Sequence, residues 1–223
     1  MNIITNPAEI ELKSMDIINE RLDIQSIKPQ NINVIKRVIH TTADFDYVDN
    51  LVFSKGAMDA AKEAFLEGAN IFTDTQMARA GINKKAAAKL GCEVHCYIDS
   101  EEVTQAAQRS GLTRSREAID AAVRLHDKPS IFVIGNAPTA LIRLYELIAS
   151  DIVSPRLVVA VPVGFVNVVE SKELIMKSKV PHIVSKGNKG GSNVAAAICN
   201  AIMYEIIGDK RDLSYGSQTH TKS

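Results

Sequence analysis

The segment KRVIHTTADFDY, residues 36–47, contains the histidine best suited to acid–base chemistry in this sequence. Regularly spaced isoleucines predict a helix over Gln30–His40, so His40 stands at a helix C-terminus, where a positive charge is favoured. Lys36 and Arg37 oppose that charge because they are cations on the preceding turn. Competing influences of this kind hold a histidine pKa near neutrality, where an acid–base group works best. The alternative interpretation is an ordinary capped helix end that leads into a loop.

Other polar side chains have simpler structural explanations. His182 lies at a short apolar segment and is interpreted as a packed core histidine, His126 as the end of a helix, and His220 as part of a polar tail. Ser14 falls on the apolar stripe of a predicted helix, Ala8–Leu22. A serine in that position usually bonds to the preceding turn, and the alternative is a hydroxyl that faces a pocket.

The cysteines indicate neither a metal site nor a disulfide framework. Cys92, His95 and Cys96 are close in sequence, but in a strand the histidine faces away from both cysteines. No fourth ligand follows at zinc-finger spacing, so no metal is predicted. A total of three cysteines is an odd number, which favours a reduced, cytoplasmic protein.

Length and charge exclude several classes of protein. The 223 residues include 26 acidic and 26 basic side chains, and 46% of the residues are hydrophobic. A zero net charge without a basic run gives no electrostatic footprint for a nucleic acid. No apolar stretch approaches the ~20 residues that span a bilayer, and acids occupy the place of a signal peptide's apolar segment. We therefore expect a protein that binds neither nucleic acid nor membrane.

Apolar strand patterns alternate with helical patterns along the chain. The predicted strands are Asn70–Thr73, Glu93–Ile98, Ile131–Ile134, Leu157–Val161 and a short one near His182–Val184. After the first two helices, the predicted helices are Lys55–Glu67, Lys84–Leu90, Arg114–Leu125, Thr139–Ala149, Val168–Lys177 and Asn193–Ile207. The expected fold is α/β, a single three-layer α/β/α domain over residues 1–207 with a mainly parallel sheet. Residues 208–223 are expected to form a polar, disordered tail.

The loops after the predicted strands contain the caps, glycines and cations that an anion site needs. Ligands of open α/β sheets bind beyond the carboxyl ends of the strands, where helix N-termini favour anions. The candidates in these loops are Thr75, Arg79, Thr113, Arg114, Ser115, Asn136, Ala137, Pro138, Gly164, Phe165, Lys186, Gly187, Gly190, Gly191 and Ser192. Several such loops at one edge indicate a wide site for a polycarboxylate. A nucleotide is the weaker choice because KGNKGGS lacks the P-loop spacing.

The chain closely resembles the precorrin-8 methylmutase family of cobalamin biosynthesis. Six motifs carry the resemblance in the family's order: RVIHTTADFDY, TDTQMARAGI, GLTRS, GNAPTAL, GFVNVVESKE and KGNKGGSNVAAAI. The similarity extends from about Pro7 to Ile207. The motif HTTADF resembles that of the family's anaerobic branch, whose members act on cobalt-precorrin-8.

The resemblance implies a cofactor-free isomerase that moves a methyl group from C-11 to C-12 of a corrinoid, giving cobyrinate, or hydrogenobyrinate without cobalt. The family's proton donor and acceptor falls on His40, and its substrate contacts fall on Ser14 and Arg37. The threonines of HTTADF, Thr41 and Thr42, and the loop candidates are expected to line the rest of the site. Family members are homodimers with the site near the subunit interface. Transient contacts with neighbouring pathway enzymes are also expected.

A corrinoid needs an apolar surface under its ring as well as cations for its carboxylates. Phe45, Met77 and Phe165 are candidates for that surface, with ordinary core packing as the alternative. Two rival functions stay open. A tetrapyrrole carrier needs the loops but no titratable histidine, and a nucleotide-dependent transferase would use KGNKGGS for phosphates.

Overall fold

A mainly parallel sheet forms the centre of the part of the chain described by the structure, a computed structural model covering residues 3–125 and 128–209. Its strands are β1 (Leu51–Phe53), β2 (Asn70–Thr73), β3 (Val94–His95), β4 (Ser130–Ile134), β5 (Leu157–Ala160) and β6 (His182–Ser185). Their order is β1-β6-β5-β4-β2-β3, and among these strands β1 alone runs antiparallel to its neighbour. The predicted α/β fold is confirmed.

Helices cover both faces of the sheet, as predicted. They are α1 (Pro7–Arg21), α2 (Ile32–Thr42), α3 (Tyr47–Asn50), α4 (Ala57–Leu66), α5 (Gln76–Gly81), α6 (Lys84–Lys89), α7 (Glu101–Ser110), α8 (Arg114–Leu125), α9 (Pro138–Ala149), α10 (Val168–Lys177) and α11 (Ser192–Ile207). In β4, Ile131 and Val133 pack in a cluster with α2, α4 and α11. Phe132 and Ile134 pack in a second cluster with α8, α9 and α10. Because both faces are covered, this strand is apolar almost throughout.

Of the strands and α-helices given above, four were not predicted from sequence patterns: β1, α3, α5 and α7. Helix α7 is mostly polar and buries only Val103 and Ala107, so it lacks the continuous apolar face that identifies a helix. The predicted strand Glu93–Ile98 is wrong in extent, because only Val94–His95 pairs with β2. Elements as short as β1, α3 and β3 leave little hydrophobic periodicity to detect in the sequence.

The predicted helix Gln30–His40 is also displaced at both ends, because α2 spans Ile32–Thr42. Ala43 ends the helix in the left-handed conformation and donates its N–H to the oxygen of Ile39 at 2.7 Å. His40 therefore lies in the last helical turn, two residues before the end of α2.

The short strand β1 brings the segment after His40 to the carboxyl edge of the sheet. Leu51 pairs with Ser185, the last residue of β6. The N–H of Lys186 donates to the oxygen of Asn50 at 2.8 Å and extends this contact beyond the strand. Because β1 is antiparallel, its beginning lies where the parallel strands end.

Among the residues described, no helix combines the length and the apolar character needed to cross a membrane. The longest of these helices, α11, has 16 residues and is buried against the sheet along most of its length. Apart from Gly208 and Asp209, the predicted tail lies outside the described residues, as do His126 and His220.

The loop after β6, residues 186–192, is called the glycine loop, and its backbone packs closely against the chain after β5. Gly191 donates its N–H to the oxygen of Val161 at 2.8 Å. A Cβ on Gly190, where φ is 159°, would lie only 2.1 Å from the same oxygen. Gly187 has a φ of 70° but open space where a Cβ would stand. The close approach therefore requires glycine at position 190.

We expect Gly190→Ala to lower the free energy of unfolding by more than about 2 kcal/mol, because the methyl group must displace backbone. Gly187→Ala is the matched control and should cost about 1 kcal/mol, the cost of its left-handed backbone alone. Urea unfolding of both variants measures the difference. Equal losses would contradict the close packing of the loop.

Candidate active site

Loops from three parts of the chain meet at the carboxyl edge of the sheet and are joined by side-chain contacts. The Nζ of Lys189, in the glycine loop, lies 2.6 Å from carboxylate oxygens of both Asp44 and Asp46, just after α2. At the other end of the loop, the hydroxyls of Ser192 and Thr75 are 2.7 Å apart. The glycine loop thus connects the His40 segment to the loop after β2.

His40 lines a pocket of about 280 Å³ between α1 and α2. The other lining residues are Ser14, Ile17, Ile18, Arg21, Ile39, Ala43 and Phe45. The walls are mainly apolar, and the His40 side chain remains accessible to solvent. The pocket therefore offers an imidazole to a ligand whose edge is apolar.

The pKa of His40 is lowered from its ordinary value, first because burial penalises the imidazolium and second because Arg37 repels it. Glu11, on α1, acts in the opposite direction and raises the pKa. The predicted effect of Arg37 is confirmed, whereas that of Lys36 is not seen. The sequence did not reveal the role of burial or of Glu11, since both depend on how α1 packs against α2.

Ser14 satisfies both interpretations of its position. Its hydroxyl donates to the oxygen of Ile10 at 2.7 Å, as expected of a serine within a helix, and the residue also lines the His40 pocket. The oxygen retains lone pairs that can accept from a ligand.

Arg21 is a pocket residue that the sequence analysis missed. Its guanidinium carbon lies 3.8 Å from the centre of the Phe45 ring, a cation–π contact at the rim of the pocket. Arg21 follows Ser14 by seven residues, which is two helical turns on the same face, and this spacing was the available signal.

Arg37 is not on the pocket wall. Its guanidinium carbon lies 5.4 Å from the centre of the Tyr204 ring on α11, and the side chain is half-buried there. The spacing of three residues from His40 did not determine which neighbouring helix would take up the arginine. Contact between Arg37 and a substrate stays a prediction.

The two threonines after His40 also lie outside the pocket lining. Thr42 donates its hydroxyl to the oxygen of Val38 at 2.8 Å and accepts the N–H of Asp44 at 3.2 Å, so it shapes the helix end. Thr41 is exposed to solvent. Their predicted contact with a ligand is untested.

A second pocket, of about 370 Å³, brings together four residues singled out from the sequence: Thr75, Arg114, Ser115 and Asn136. The exposed Arg114 side chain is 4.0 Å from Asp99, which leaves most of its donors facing solvent. The loops after β2 and β4 contribute Thr75 and Asn136, as expected at the carboxyl ends of parallel strands, and the start of α8 contributes Arg114 and Ser115. The pocket can therefore hold carboxylate groups.

Asp74 organises this second pocket. Its carboxylate is only 3% exposed and accepts the N–H groups of Gly135, Asn136 and Ala137 at 2.9, 2.8 and 2.7 Å. Burial raises the pKa of the carboxyl, and these three donors counteract the rise. The cap of the following helix, α5, is Thr75, whose side chain accepts the N–H of Ala78.

Ala137 and Pro138 have structural roles at the start of α9. The Ala137 side chain belongs to the second apolar cluster, so a ligand can meet only the backbone of this residue. Pro138 occupies the first helical turn, as predicted.

Arg79 and Thr113 are engaged within the protein. The Nε of Arg79 donates to the oxygen of Val94 at 3.2 Å. The Thr113 hydroxyl donates to that of Thr139 at 2.9 Å and accepts the N–H of Arg116. Neither residue lines the two pockets.

The loop after β5 is tied to the glycine loop and presents apolar side chains to solvent. Gly164 donates its N–H to the oxygen of Asn188 at 3.1 Å and accepts from the Asn188 side chain at 2.6 Å. Phe165 is 90% exposed and Met77 is 70% exposed, so the core alternative is wrong for both. Phe45 is half-buried and lines the His40 pocket, where it packs against the main core.

His182, Cys92 and Cys199 are buried in the core. His182 is buried, and its Nδ1 lies 2.9 Å from the oxygen of Val180, which confirms the core interpretation. The His95 ring stacks on Phe72 with 5.5 Å between ring centres. In the described ranges, no group of three or more histidine, cysteine or acidic side chains could hold a metal ion.

Comparisons with known proteins agree with the motifs. A family model described as precorrin-8X methylmutase matches residues 9–205. The cobalt-precorrin-8 methylmutases of Salmonella typhimurium and Leptospira interrogans are 46% and 39% identical, over 92% and 95% of this chain and 99% of each relative. The solved precorrin-8x methyl mutase of Thermus thermophilus has a TM-score of 0.82 at 36% identity, covering 91% of this chain and 98% of its own. The chain therefore belongs to the precorrin-8X methylmutase family, a family of isomerases in cobalamin biosynthesis.

Proposed function

We propose that this chain converts cobalt-precorrin-8 to cobyrinate by moving a methyl group from C-11 to C-12, with His40 as proton donor and acceptor. The observation that carries the proposal is the position of His40 on the wall of a mainly apolar pocket, at the edge where the anion-binding loops converge. The names of the Salmonella and Leptospira relatives support the cobalt-containing substrate.

The reaction is an isomerisation, so atoms and charge balance without a second reactant. The His40 imidazolium gives a proton to a ring nitrogen, which makes the conjugated system electron-poor and eases a 1,5-sigmatropic shift. The bond from C-11 to the methyl carbon breaks as the bond to C-12 forms. The neutral imidazole then takes the proton back, and no cofactor is required by this balance.

Substrate binding itself favours the protonated form of His40. In the free protein, burial and Arg37 lower the pKa, so the imidazole rests mainly in its neutral form at neutral pH. A bound polycarboxylate brings negative charge towards the ring, and nearby anions raise a histidine pKa. The proton is therefore most available when the substrate is present.

Cations and helix N-termini around the site suit the carboxylates of a corrinoid. Arg21 lies at the His40 pocket and Arg114 at the second pocket. Helix α11 starts at the same edge without a side-chain cap, which suits an anion, whereas the N–H groups just before α9 are already taken by Asp74. The ring edge would enter the pocket of about 280 Å³ while the acid side chains extend along the sheet edge.

We also propose that the enzyme acts as a cytoplasmic homodimer. Val163, Phe165 and Val166 form an exposed apolar loop at the site edge, which supports burial against a second subunit. The cysteines are all free, which supports a reducing compartment. Contacts with neighbouring pathway enzymes stay a prediction.

His40→Ala should lower kcat by about 10²–10⁴-fold because it removes the acid–base group, while the corrinoid still binds. Anaerobic absorption spectra of precorrin-8 and cobalt-precorrin-8, mixed separately with each protein, measure the conversion. The substrate that wild type converts faster identifies the branch.

The control for this experiment is His220→Ala, the same chemical change in the C-terminal segment, which should retain the wild-type rate. Wild-type turnover by His40→Ala would refute the proton-transfer role. If wild type and His40→Ala both bind the pigment and neither changes it, the carrier function replaces the isomerase.

Arg37→Gln should raise the pKa of His40, because it removes a repelling cation, and Glu11→Gln should lower it, because it removes an attracting anion. NMR titration of the His40 ring signals, identified by their loss in His40→Ala, measures both shifts. The pair is matched, since each change replaces one charge with an amide. Shifts in the same direction would contradict the described electrostatics.

A further inference from the structure

Lys172 is a buried lysine on α10 that the reaction scheme does not use. Its side chain is 1% exposed, and its Nζ lies 2.6 Å from the oxygen of Gly187 and 2.8 Å from the oxygen of Lys189. Among the described residues, no carboxylate comes within 4.0 Å of this amine. Main-chain oxygens of the glycine loop are thus its hydrogen-bond partners.

Burial of a lysine is costly unless its amine is satisfied, so this arrangement needs a physical reason. Burial lowers the pKa of Lys172 to about 8 because it penalises the charged amine. A neutral amine would still have two N–H donors, one for each oxygen. The contact to the glycine loop can therefore persist in either protonation state.

The part of the glycine loop that Lys172 holds is the part that reaches the His40 segment. Ser185 also donates to the oxygen of Lys189 at 2.7 Å, so the side chains of Lys172 and Ser185 both hold this turn. The side chain of Lys189 then contacts Asp44 and Asp46. These ion pairs are partly exposed, and exposed pairs contribute little unless the backbone already places the charges together.

We propose that Lys172 is a positioning residue of the methylmutase: its amine holds the glycine loop so that Lys189 fixes the segment after His40. The inference rests on the proposed function, because the quantity it affects is the methyl shift. Loss of the amine removes the Lys172 donor from the oxygen of Gly187 and one of two side-chain donors from the oxygen of Lys189, so this turn must shift to regain a donor from water. The His40 helix end then loses its contact with the loop, and an imidazole displaced by about 1 Å transfers protons poorly.

Lys172→Met tests the proposal, since methionine is unbranched and apolar and lacks the amine. We expect kcat to fall roughly ten- to a hundredfold with a smaller change in KM. We also expect faster amide hydrogen exchange across residues 186–191. Lys177→Met, an exposed lysine on the same helix, is the control and should change neither quantity.

A double variant separates positioning from plain stabilisation. Lys189→Met removes the link to Asp44 and Asp46, so this single variant should already lower kcat. Adding Lys172→Met to it should lower kcat little further, because both changes break the same link. The proposal would be overturned if the double variant lost kcat by the product of the two single-variant losses. It would also be overturned if Lys172→Met lowered the Tm but left kcat unchanged when assayed 20 °C below that Tm. If Lys172→Met does not fold, unchanged kcat in Lys189→Met overturns it and a reduced kcat supports it.

The two readouts also separate this inference from the proposed function. Hydrogen exchange needs no substrate, so it reports whether Lys172 holds the glycine loop even if wild type fails to convert the corrinoid. Failure of wild-type turnover refutes the function. Unchanged loop exchange in a folded Lys172→Met protein refutes the inference alone.

Discussion

β1 runs antiparallel to β6, with Leu51 opposite Ser185, and the position of His40 depends on this reversal. The chain between α2 and β1 must begin its strand where the parallel strands end. The last turn of α2 is therefore held at the edge that also carries the loops after β2, β4 and β6. Without the reversal, this segment would be directed to the opposite edge, away from the N-termini of α9 and α11.

Two buried charges of opposite sign organise the loops at this edge by complementary means. Asp74 collects three main-chain N–H groups before α9, and Lys172 collects two main-chain oxygens in the glycine loop. Each charged group therefore fixes a stretch of backbone in place of pairing with an opposite charge. The pocket residues that face solvent, such as Asn136 and Arg114, are then free to meet a ligand.

The sequence was sufficient for the features that depend on local pattern, and insufficient for those that depend on packing. Apolar strands such as β4 and β5 are long enough to show burial on both faces, whereas the three-residue β1 is not. The position of His40 near a helix end followed from the local sequence, whereas its acid–base role stays a prediction. The orientation of Arg37 towards Tyr204 and the burial of Lys172 depend on neighbouring helices, which no local pattern encodes.

The sheet separates the core that supports His40 from the core that supports Arg114. Helix α2 packs with α11 on one face, and α8 packs with α9 on the other. Mutations beneath α8 can thus reshape the pocket around Arg114 while the geometry of the imidazole is preserved. Evolution within this fold can change one pocket separately from the other, and a designer who exchanges one layer could do the same.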